Sequence, residues 1–251
     1  HTTLSSEDSG AGAWSYAVES TSPSVTEFRV TSPTGESVVT KAPIVGAHMV
    51  ANAALAMAMM VEGGVAFSDL AAAIGPGTNG IPVAIPGRIE KVSGSDGPSL
   101  FLDAGRSEDA YRQTLTAVRD LTSGKLVMVC GTSGNRDATK RPLMGATARK
   151  LADVVIVTDD DPRREDPATI RAGLLEGARS VSPANVHEIA DPNAAIRFAL
   201  SLVTAGDSIV WFGPGSQSYR DIGGEKIPYS AKREAQVALA EAGWTGKKET
   251  P

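Results

Sequence analysis

Two short apolar segments, each followed by a loop rich in Asp, Arg and Gly, constrain the fold of this chain most. Residues 125–130 read KLVMVC and lead into GTSGNRDATKRP, and residues 152–158 read ADVVIVT and lead into DDDPRREDP. Both segments are rich in Val and too short for a buried helix. They therefore predict parallel strands that are covered on both faces.

Charged residues follow both segments at the point where each predicted strand ends. Arg136 lies in the first loop, and Asp160, Asp161 and Arg163 lie in the second. Loops that leave the carboxyl ends of parallel strands meet at one edge of the sheet, where open α/β sheets bind their ligands. We therefore expect these four residues to form one polar pocket. The alternative is a cluster of surface ion pairs that binds nothing, because such pairs are common and weak.

The alternation of strand and helix continues through the second part of the chain. Helix starts are predicted at Ser107, at Asp166 with Pro167 in the first turn, and at Asp191. Further strands are predicted at residues 99–104, 186–189 and 208–212, and a last helix at residues 230–242. This pattern predicts an α/β domain with a Rossmann-like, mostly parallel sheet and right-handed crossovers.

The first part of the chain has a different pattern. Three alternating segments separated by Ser, Pro and Gly turns predict an antiparallel meander. Residues 45–64, rich in Ala and Met, predict a helix whose apolar face serves packing, and residues 67–74 predict a second helix that Ser68 caps. Residues 1–12 are small and polar, as is typical of a disordered edge.

A stretch rich in Pro and Gly, residues 75–88, separates the two patterns. It resembles a phosphate-binding loop, but Ile81 and Pro82 stand where such a loop needs Lys and a hydroxyl residue. We interpret the stretch as a linker between a first region, residues 1–86, and a second region, residues 87–251.

Composition excludes several classes of function. With 251 residues, 41% of them hydrophobic and 21% charged, the chain is an ordinary globular protein of one or two domains. A net charge of -5 gives no reason to expect nucleic acid, and no apolar stretch reaches membrane-spanning length. One cysteine, Cys130, excludes an internal disulfide and favours the cytoplasm, and three scattered histidines do not suggest a metal cluster.

Several long motifs together resemble the Mur ligase family, and specifically its MurE branch. They are GNRDATKRPLMGATARKLADVVIVTDDDPRREDP at 134–167, PGRIEKV at 86–92, VGAHMVANAALAMA at 45–58 and IGGEKIPYSAKREAQVAL at 222–239. The resemblance covers about residues 14–244, with the motifs in the family's order. It implies the family's C-terminal Rossmann-like domain, preceded by an antiparallel-strand and helix remnant of the central ATPase domain.

The resemblance implies a ligase of peptidoglycan synthesis. Using ATP and magnesium, such an enzyme adds a diamino acid to UDP-N-acetylmuramoyl-L-alanyl-D-glutamate through an acyl-phosphate. In the family, the ATP-binding loop, the magnesium carboxylates and a carbamylated lysine belong to the N-terminal half, which we expect to be this chain's partner. We therefore expect this chain alone to hold neither cofactor and to be inactive. Its start at His1 instead of Met fits a natural N-terminal portion that precedes it.

The resemblance also implies roles for single residues, with no catalytic residue and no metal ligand among them. The residues implied to bind the amino acid are Arg136, Asp160, Asp161, Arg163, Gly213 and Gln217. Those implied to contact adenine, phosphate and ribose are Asn52, Arg88 and Asp103. The chemistry agrees, because a guanidinium suits a carboxylate in bidentate geometry and carboxylates suit ammonium groups.

Two motifs depart from the family pattern. DAGRSED at 103–109 stands where the family has D-Y-A-H-x-P, and GPGSQ at 213–217 where it has G-K-G-H-E, so Gln217 replaces an acidic contact. These losses favour a ligase-derived binding protein without catalysis, whereas the intact Arg136 and Asp-Asp-Pro-Arg loop favour a working ligase. A dinucleotide oxidoreductase is less favoured, because no G-x-G-x-x-G follows the first strand.

Asp161 determines which amino acid we expect. In the family, Asn at this position followed by Pro-Arg accompanies meso-diaminopimelate, whose far end bears a carboxylate. A like charge at ~4 Å costs on the order of 1–4 kcal/mol, so Asp161 favours L-lysine or ornithine, which end in an ammonium alone. The alternative is that Arg163 pairs with Asp161 to stiffen the loop and that neither contacts the substrate.

Overall fold

The computed structural model describes residues 4–6 and 12–244. It divides the chain into two compact units, His1–Ile85 and Pro86–Pro251, so the division falls inside the stretch predicted to be a linker. The predicted disordered edge at residues 1–12 lies mostly outside the described residues, and the part described there includes a two-residue strand at Leu4–Ser5.

The first unit is a four-stranded sheet covered by two helices. Its elements are β1 (Leu4–Ser5), β2 (Trp14–Thr21), β3 (Thr26–Thr31), β4 (Ser37–Ala42), α1 (Ala47–Glu62) and α2 (Phe67–Ile74). β2, β3 and β4 form the predicted antiparallel meander, and β1 adds to it as a parallel edge strand that the sequence did not predict. In β3, Phe28 and Val30 are buried while Glu27 and Arg29 face outward, as strand alternation requires.

The two helices pack on this sheet through apolar side chains. The prediction that Ser68 caps α2 is wrong: the cap position is Ala66, and no side chain bonds there. The start of α2 coincides instead with a packing contact, because Phe67 is buried with its ring centroid 6.3 Å from that of Trp14. On α1 the outward face keeps apolar side chains exposed, namely Leu55, Met59 and Met60.

The second unit is built around a six-stranded sheet of order β5-β6-β10-β7-β8-β9, in which every pairing except that of β5 with β6 is parallel. Its elements are β5 (Glu90–Lys91), β6 (Ser99–Asp103), α3 (Glu108–Arg119), β7 (Leu126–Cys130), α4 (Lys140–Leu151), β8 (Val154–Val157), α5 (Pro167–Val181), β9 (Val186–Glu188), α6 (Pro192–Ser201), β10 (Ser208–Phe212), β11 (Tyr219–Ile222), β12 (Glu225–Pro228) and α7 (Ala231–Glu241). The Rossmann-like, mostly parallel α/β fold predicted from the alternating pattern is confirmed.

Helices cover both faces of this sheet, α3, α4 and α5 on one side and α6 and α7 on the other. β7, β8 and β10 are therefore buried along their whole length, as continuous apolar segments predict.

The helix starts are confirmed: Ser107, Asp166 and Asp191 each accept a hydrogen bond from a first-turn N–H. The exposed hairpin of β11 and β12 was not predicted. Within the described residues, no helix is long and apolar enough to cross a membrane.

One carboxylate joins the turn before β10 to the start of β7. Asp207 is buried, and it accepts hydrogen bonds from the backbone N–H of Lys125 at 2.6 Å and from that of Thr204 at 2.8 Å. Burial acts to raise the pKa of Asp207, but these bonds and the Thr204 hydroxyl outweigh it, so the pKa lies below its ordinary value. Bonds to the ionised form therefore stabilise the fold.

Asp207→Asn should lower the free energy of unfolding at pH 7 by about 1–3 kcal/mol, because charge-assisted bonds to two N–H groups are weakened. The folded-state pKa is the lower one, so this stabilisation is complete above the ordinary pKa of about 3.9 and is lost as pH falls through the folded value. Urea unfolding of both proteins from pH 7 to pH 2.5 measures this. The exposed Asp96→Asn is the control. A difference that stays constant down to the lowest pH would contradict the prediction.

Candidate functional site

The candidate site lies at the carboxyl edge of the sheet in the second unit. Two adjacent carboxylates, Asp160 and Asp161, follow β8 and are only 5% and 4% exposed. The loop after β6 and the loop after β10 reach the same place, because β10 lies between β6 and β7 in the sheet. Three loops that are far apart in sequence therefore converge on one pair of buried acids.

Arg106, from the loop after β6, is the cation that pairs with both acids. Its Nε donates to Asp160 Oδ2 at 2.9 Å, and its Nη2 donates to Asp161 Oδ2 at 3.3 Å. The side chain of Arg106 is 26% exposed, whereas those of the two acids are 3% and 6% exposed. The guanidinium thus forms the outer, solvent-facing layer of the pair.

Gln217, from the loop after β10, completes the cluster. Its Oε1 accepts from Arg106 Nη2 at 2.5 Å, and its Nε2 donates to Asp161 Oδ2 at 3.3 Å. The backbone N–H of Asp221 donates to the other oxygen of Asp161 at 3.2 Å. Asp161 therefore accepts hydrogen bonds from two donors besides Arg106.

Asp160 has fewer hydrogen-bond donors to its carboxylate than Asp161 has. Among the described residues its carboxylate takes a hydrogen bond from Arg106 alone, while Arg220 donates to its backbone oxygen at 2.8 Å. Burial raises the pKa of Asp160, and the charge of Asp161 adds to that rise against the opposing effect of Arg106. Gly213 allows the close packing of this carboxylate: its φ is +117°, and a Cβ there would lie 3.0 Å from Asp160 Cγ.

Hydrogen bonds tie the loop after β7 to the loop after β8. Gly134 N donates to the Asp161 carbonyl at 2.9 Å, and Asn135 N donates to Glu165 Oε2 at 2.8 Å. Glu165 in turn accepts two bonds from the buried guanidinium of Arg141, at 2.6 and 2.8 Å. The two loops therefore lie side by side.

The predicted pocket of four charged residues is only partly assembled. Arg136 and Arg163 form no side-chain ion pair or hydrogen bond with another described residue, although backbone bonds join Arg163 to Asp221 and Gly223. Arg163 has a φ of +54°, so the loop turns sharply there. The alternative in which Arg163 neutralises Asp161 is wrong in this structure, because Arg106 takes that place.

The residues predicted to contact nucleotide have varied surroundings. Asn52 is exposed on α1 of the first unit, and Arg88 is exposed near the start of the second unit. Asp103 is buried at the end of β6, where its carboxylate accepts from Ile89 N at 3.0 Å and from Gly105 N at 2.6 Å. Within residues 4–6 and 12–244, no group of three His, Cys, Asp or Glu side chains could hold a metal ion.

Arg106 was not predicted as a site residue. Its sequence gives one indication of this role, which is its place shortly after a strand that ends at the ligand-binding edge. Two consecutive acids after a buried strand also indicate a nearby cation, because buried charges need a partner of opposite sign. Cys130 at the end of β7 is buried, and burial raises the pKa of its thiol to about 12, so the thiol stays protonated and unreactive.

The sequence of this chain is similar to those of known proteins. A family model described as "Mur ligase, glutamate ligase domain" matches residues 87–215. The UDP-N-acetylmuramyl-tripeptide synthetase of Leifsonia xyli is 46% identical over 244 residues, which are 97% of this chain and 47% of that protein. The UDP-N-acetylmuramoyl-L-alanyl-D-glutamate--2,6-diaminopimelate ligase of Chelativorans sp. is 38% identical over 201 residues, 79% of this chain and 39% of that protein.

A solved structure agrees with these relatives. A UDP-N-acetylmuramoyl-L-alanyl-D-glutamate--2,6-diaminopimelate ligase superposes with a TM-score of 0.63 at 29% identity, covering 97% of this chain and 48% of that one. The chain thus spans about half the length, or less, of the relatives it matches. Since the domain model covers residues 87–215 and the relatives align with both units, the chain belongs to the Mur ligase family, in its MurE branch.

Proposed function

We propose that the full-length protein containing this chain is an ATP-dependent ligase that adds a diamino acid to UDP-N-acetylmuramoyl-L-alanyl-D-glutamate in cytoplasmic peptidoglycan synthesis. One observation carries the proposal: two buried carboxylates share one guanidinium at the ligand-binding edge of the sheet. A ligand with a cationic end complements such a cluster, and an amino acid with a second ammonium group has that end.

The proposed substrate contacts divide by charge. Arg136 and Arg163, whose guanidinium groups have no partner among the described residues, would pair with carboxylates of the substrates. Asp161, supported by Asp160, Gln217 and the backbone of Gly213, would receive the distal ammonium group. This division is supported by the place of the acids, which lie together behind Arg106. Arg136 follows β7, and Arg163 is two residues beyond Asp161 in the loop after β8.

Charge also supports the proposed choice among diamino acids. The three side chains that form ion pairs with one another, Asp160, Asp161 and Arg106, have a net formal charge of -1, and Arg220 bonds only to the backbone oxygen of Asp160. The ammonium of L-lysine or ornithine would balance this charge, whereas the distal end of meso-diaminopimelate carries a carboxylate beside its ammonium and would leave the charge unbalanced. We therefore propose that lysine or ornithine is preferred.

The nucleotide would be held mainly outside this chain. Asn52, Arg88 and Asp103 are proposed to contact adenine, phosphate and ribose, but the described residues do not by themselves fit a magnesium-nucleotide site. The Gly75–Gly80 loop has no lysine to reach phosphates, and the carboxylate of Asp103 is already bonded to two backbone N–H groups. We propose that ATP and magnesium are bound by the part of the ligase that corresponds to the N-terminal half of its relatives.

A second candidate is a non-catalytic binding protein derived from a ligase. It is favoured by the GPGSQ segment, which lacks the Lys, His and Glu of the family turn, and by the DAGRSED segment. The N-terminal sequence of the whole protein separates the two candidates, because an intact Gly-Lys-Thr loop supports the ligase.

In a ligation assay with full-length protein, kcat/KM should be higher for L-lysine or ornithine than for meso-diaminopimelate. Asp161→Asn should lower the ratio of lysine to meso-diaminopimelate at least about tenfold, since removing a charge at this range is worth roughly 1.4 kcal/mol or more. The exposed Asp120→Asn is the matched control, and its ratio should equal that of the wild type. A wild-type preference for meso-diaminopimelate would refute the charge argument, as would an Asp161→Asn variant with an unchanged ratio.

The chain of residues 1–251 alone should neither hydrolyse ATP nor ligate an amino acid. Catalysis of phosphoryl transfer depends on positioning the phosphates and the metal, for which the described residues provide no loop or carboxylate cluster. Phosphate release by the purified chain, with full-length ligase as the positive control, measures this. ATP-dependent turnover by the chain alone would show that the site is more complete than we propose.

A further inference from the structure

Arg106 covers the acid that we propose to receive the substrate's ammonium. Its Nη2 lies 3.3 Å from Asp161 Oδ2, on the solvent side of an acid whose side chain is only 6% exposed. Gln217 is hydrogen-bonded both to Arg106 Nη2 and to Asp161 Oδ2. A cation arriving from solvent therefore meets Arg106 before it reaches Asp161.

The backbone around Arg106 is held without its guanidinium. Gly105 N donates to Asp103 at 2.6 Å, the Ser107 hydroxyl caps α3, and Lys140 Nζ donates to the Arg106 carbonyl at 2.8 Å. The guanidinium can therefore change partners while the loop keeps its path.

The two acids depend on Arg106 to different degrees. Asp161 retains hydrogen bonds from Asp221 N and Gln217 Nε2 when Arg106 Nη2 leaves. Asp160 has no other donor to its carboxylate among the described residues, and burial already raises its pKa. Another cation can therefore replace Nη2 at Asp161, whereas Asp160 depends on the bond from Arg106 Nε.

We propose that Arg106 is a specificity-determining residue that competes from within the site with the distal ammonium of the incoming amino acid. The ammonium takes the place of Nη2 at Asp161, while Nε keeps Arg106 on Asp160. The inference rests on the proposed ligase function. A site occupied by its own cation binds a ligand more weakly, in proportion to the fraction of molecules in which the site is open. Arg106 thus weakens the binding of an amino acid that ends in an ammonium alone, and its charge favours a distal carboxylate, so it narrows the difference between lysine and meso-diaminopimelate.

The test measures KM and kcat of the full-length ligase with L-lysine and with meso-diaminopimelate. Arg106→Gln removes the competing cation and should lower KM for lysine at least about fivefold, with kcat changed less than about twofold. KM for meso-diaminopimelate should stay the same or rise, because its distal carboxylate loses a nearby cation. Arg106→Met is a second neutral variant, and Arg106→Lys, which restores a cation, should return KM for lysine to within about twofold of the wild type.

Arg112→Gln is the matched control, because Arg112 is exposed on α3 and pairs only with Asp109 in the described part of the chain. Its KM for lysine should equal that of the wild type. An unchanged or higher KM for lysine in both neutral variants would overturn the role of Arg106 while leaving the ligase function intact. Unfolding of both neutral variants, seen by circular dichroism, would show a structural clamp and also overturn it. A wild-type protein that ligates no diamino acid would overturn the proposed function and this inference together.

Discussion

The burial of two neighbouring carboxylates after β8 is the constraint on which the site depends. Removing an ion from water costs several kcal/mol even after relaxation, and two adjacent anions also repel each other. Asp160 and Asp161 are tolerated because Arg106 reaches both of them. Arg106 can do so only because β6 lies next to β10 in a sheet whose parallel strands all end at one edge. The charge pattern of the site therefore depends on the strand order.

Two glycines also make room for the buried carboxylate of Asp160. A Cβ at Gly131 would lie 2.8 Å from the Cβ of Asp160, and one at Gly213 would lie 3.0 Å from its Cγ. Gly131 directly follows β7 and Gly213 directly follows β10, so both loops come closer to Asp160 than a side chain would permit. Small residues at these two strand ends thus allow the buried acid to pack, and they keep the loop after β10 within reach of Asp161.

Patterns that depend on neighbours in sequence predicted the fold well. Apolar runs predicted β7, β8 and β10, and the Ser107, Asp166 and Asp191 caps predicted helix starts, because these features act within one turn or strand. The predicted cap at Ser68 was wrong, because the helix starts one residue earlier, where Phe67 is buried. Strand β1 was not predicted, because two residues are too few to show an alternating pattern. It could predict the place of the two acids but not their partner, since Arg106 is 54 residues away from Asp160 in sequence.

The two motifs that depart from the family pattern each contribute a side chain that contacts Asp161. Arg106, Asp161 and Gln217 come from three loops, yet each is hydrogen-bonded to the other two. Independent decay of an unused site would leave some of its buried groups unsatisfied, at a cost of about 1–3 kcal/mol for each one. In the described residues, the buried side-chain atoms without a partner are Thr132 Oγ1 and Arg141 Nε, and neither belongs to this cluster. The replacements that bring Arg106 and Gln217 to Asp161 are therefore accommodated without leaving a buried side-chain atom of this cluster unpaired.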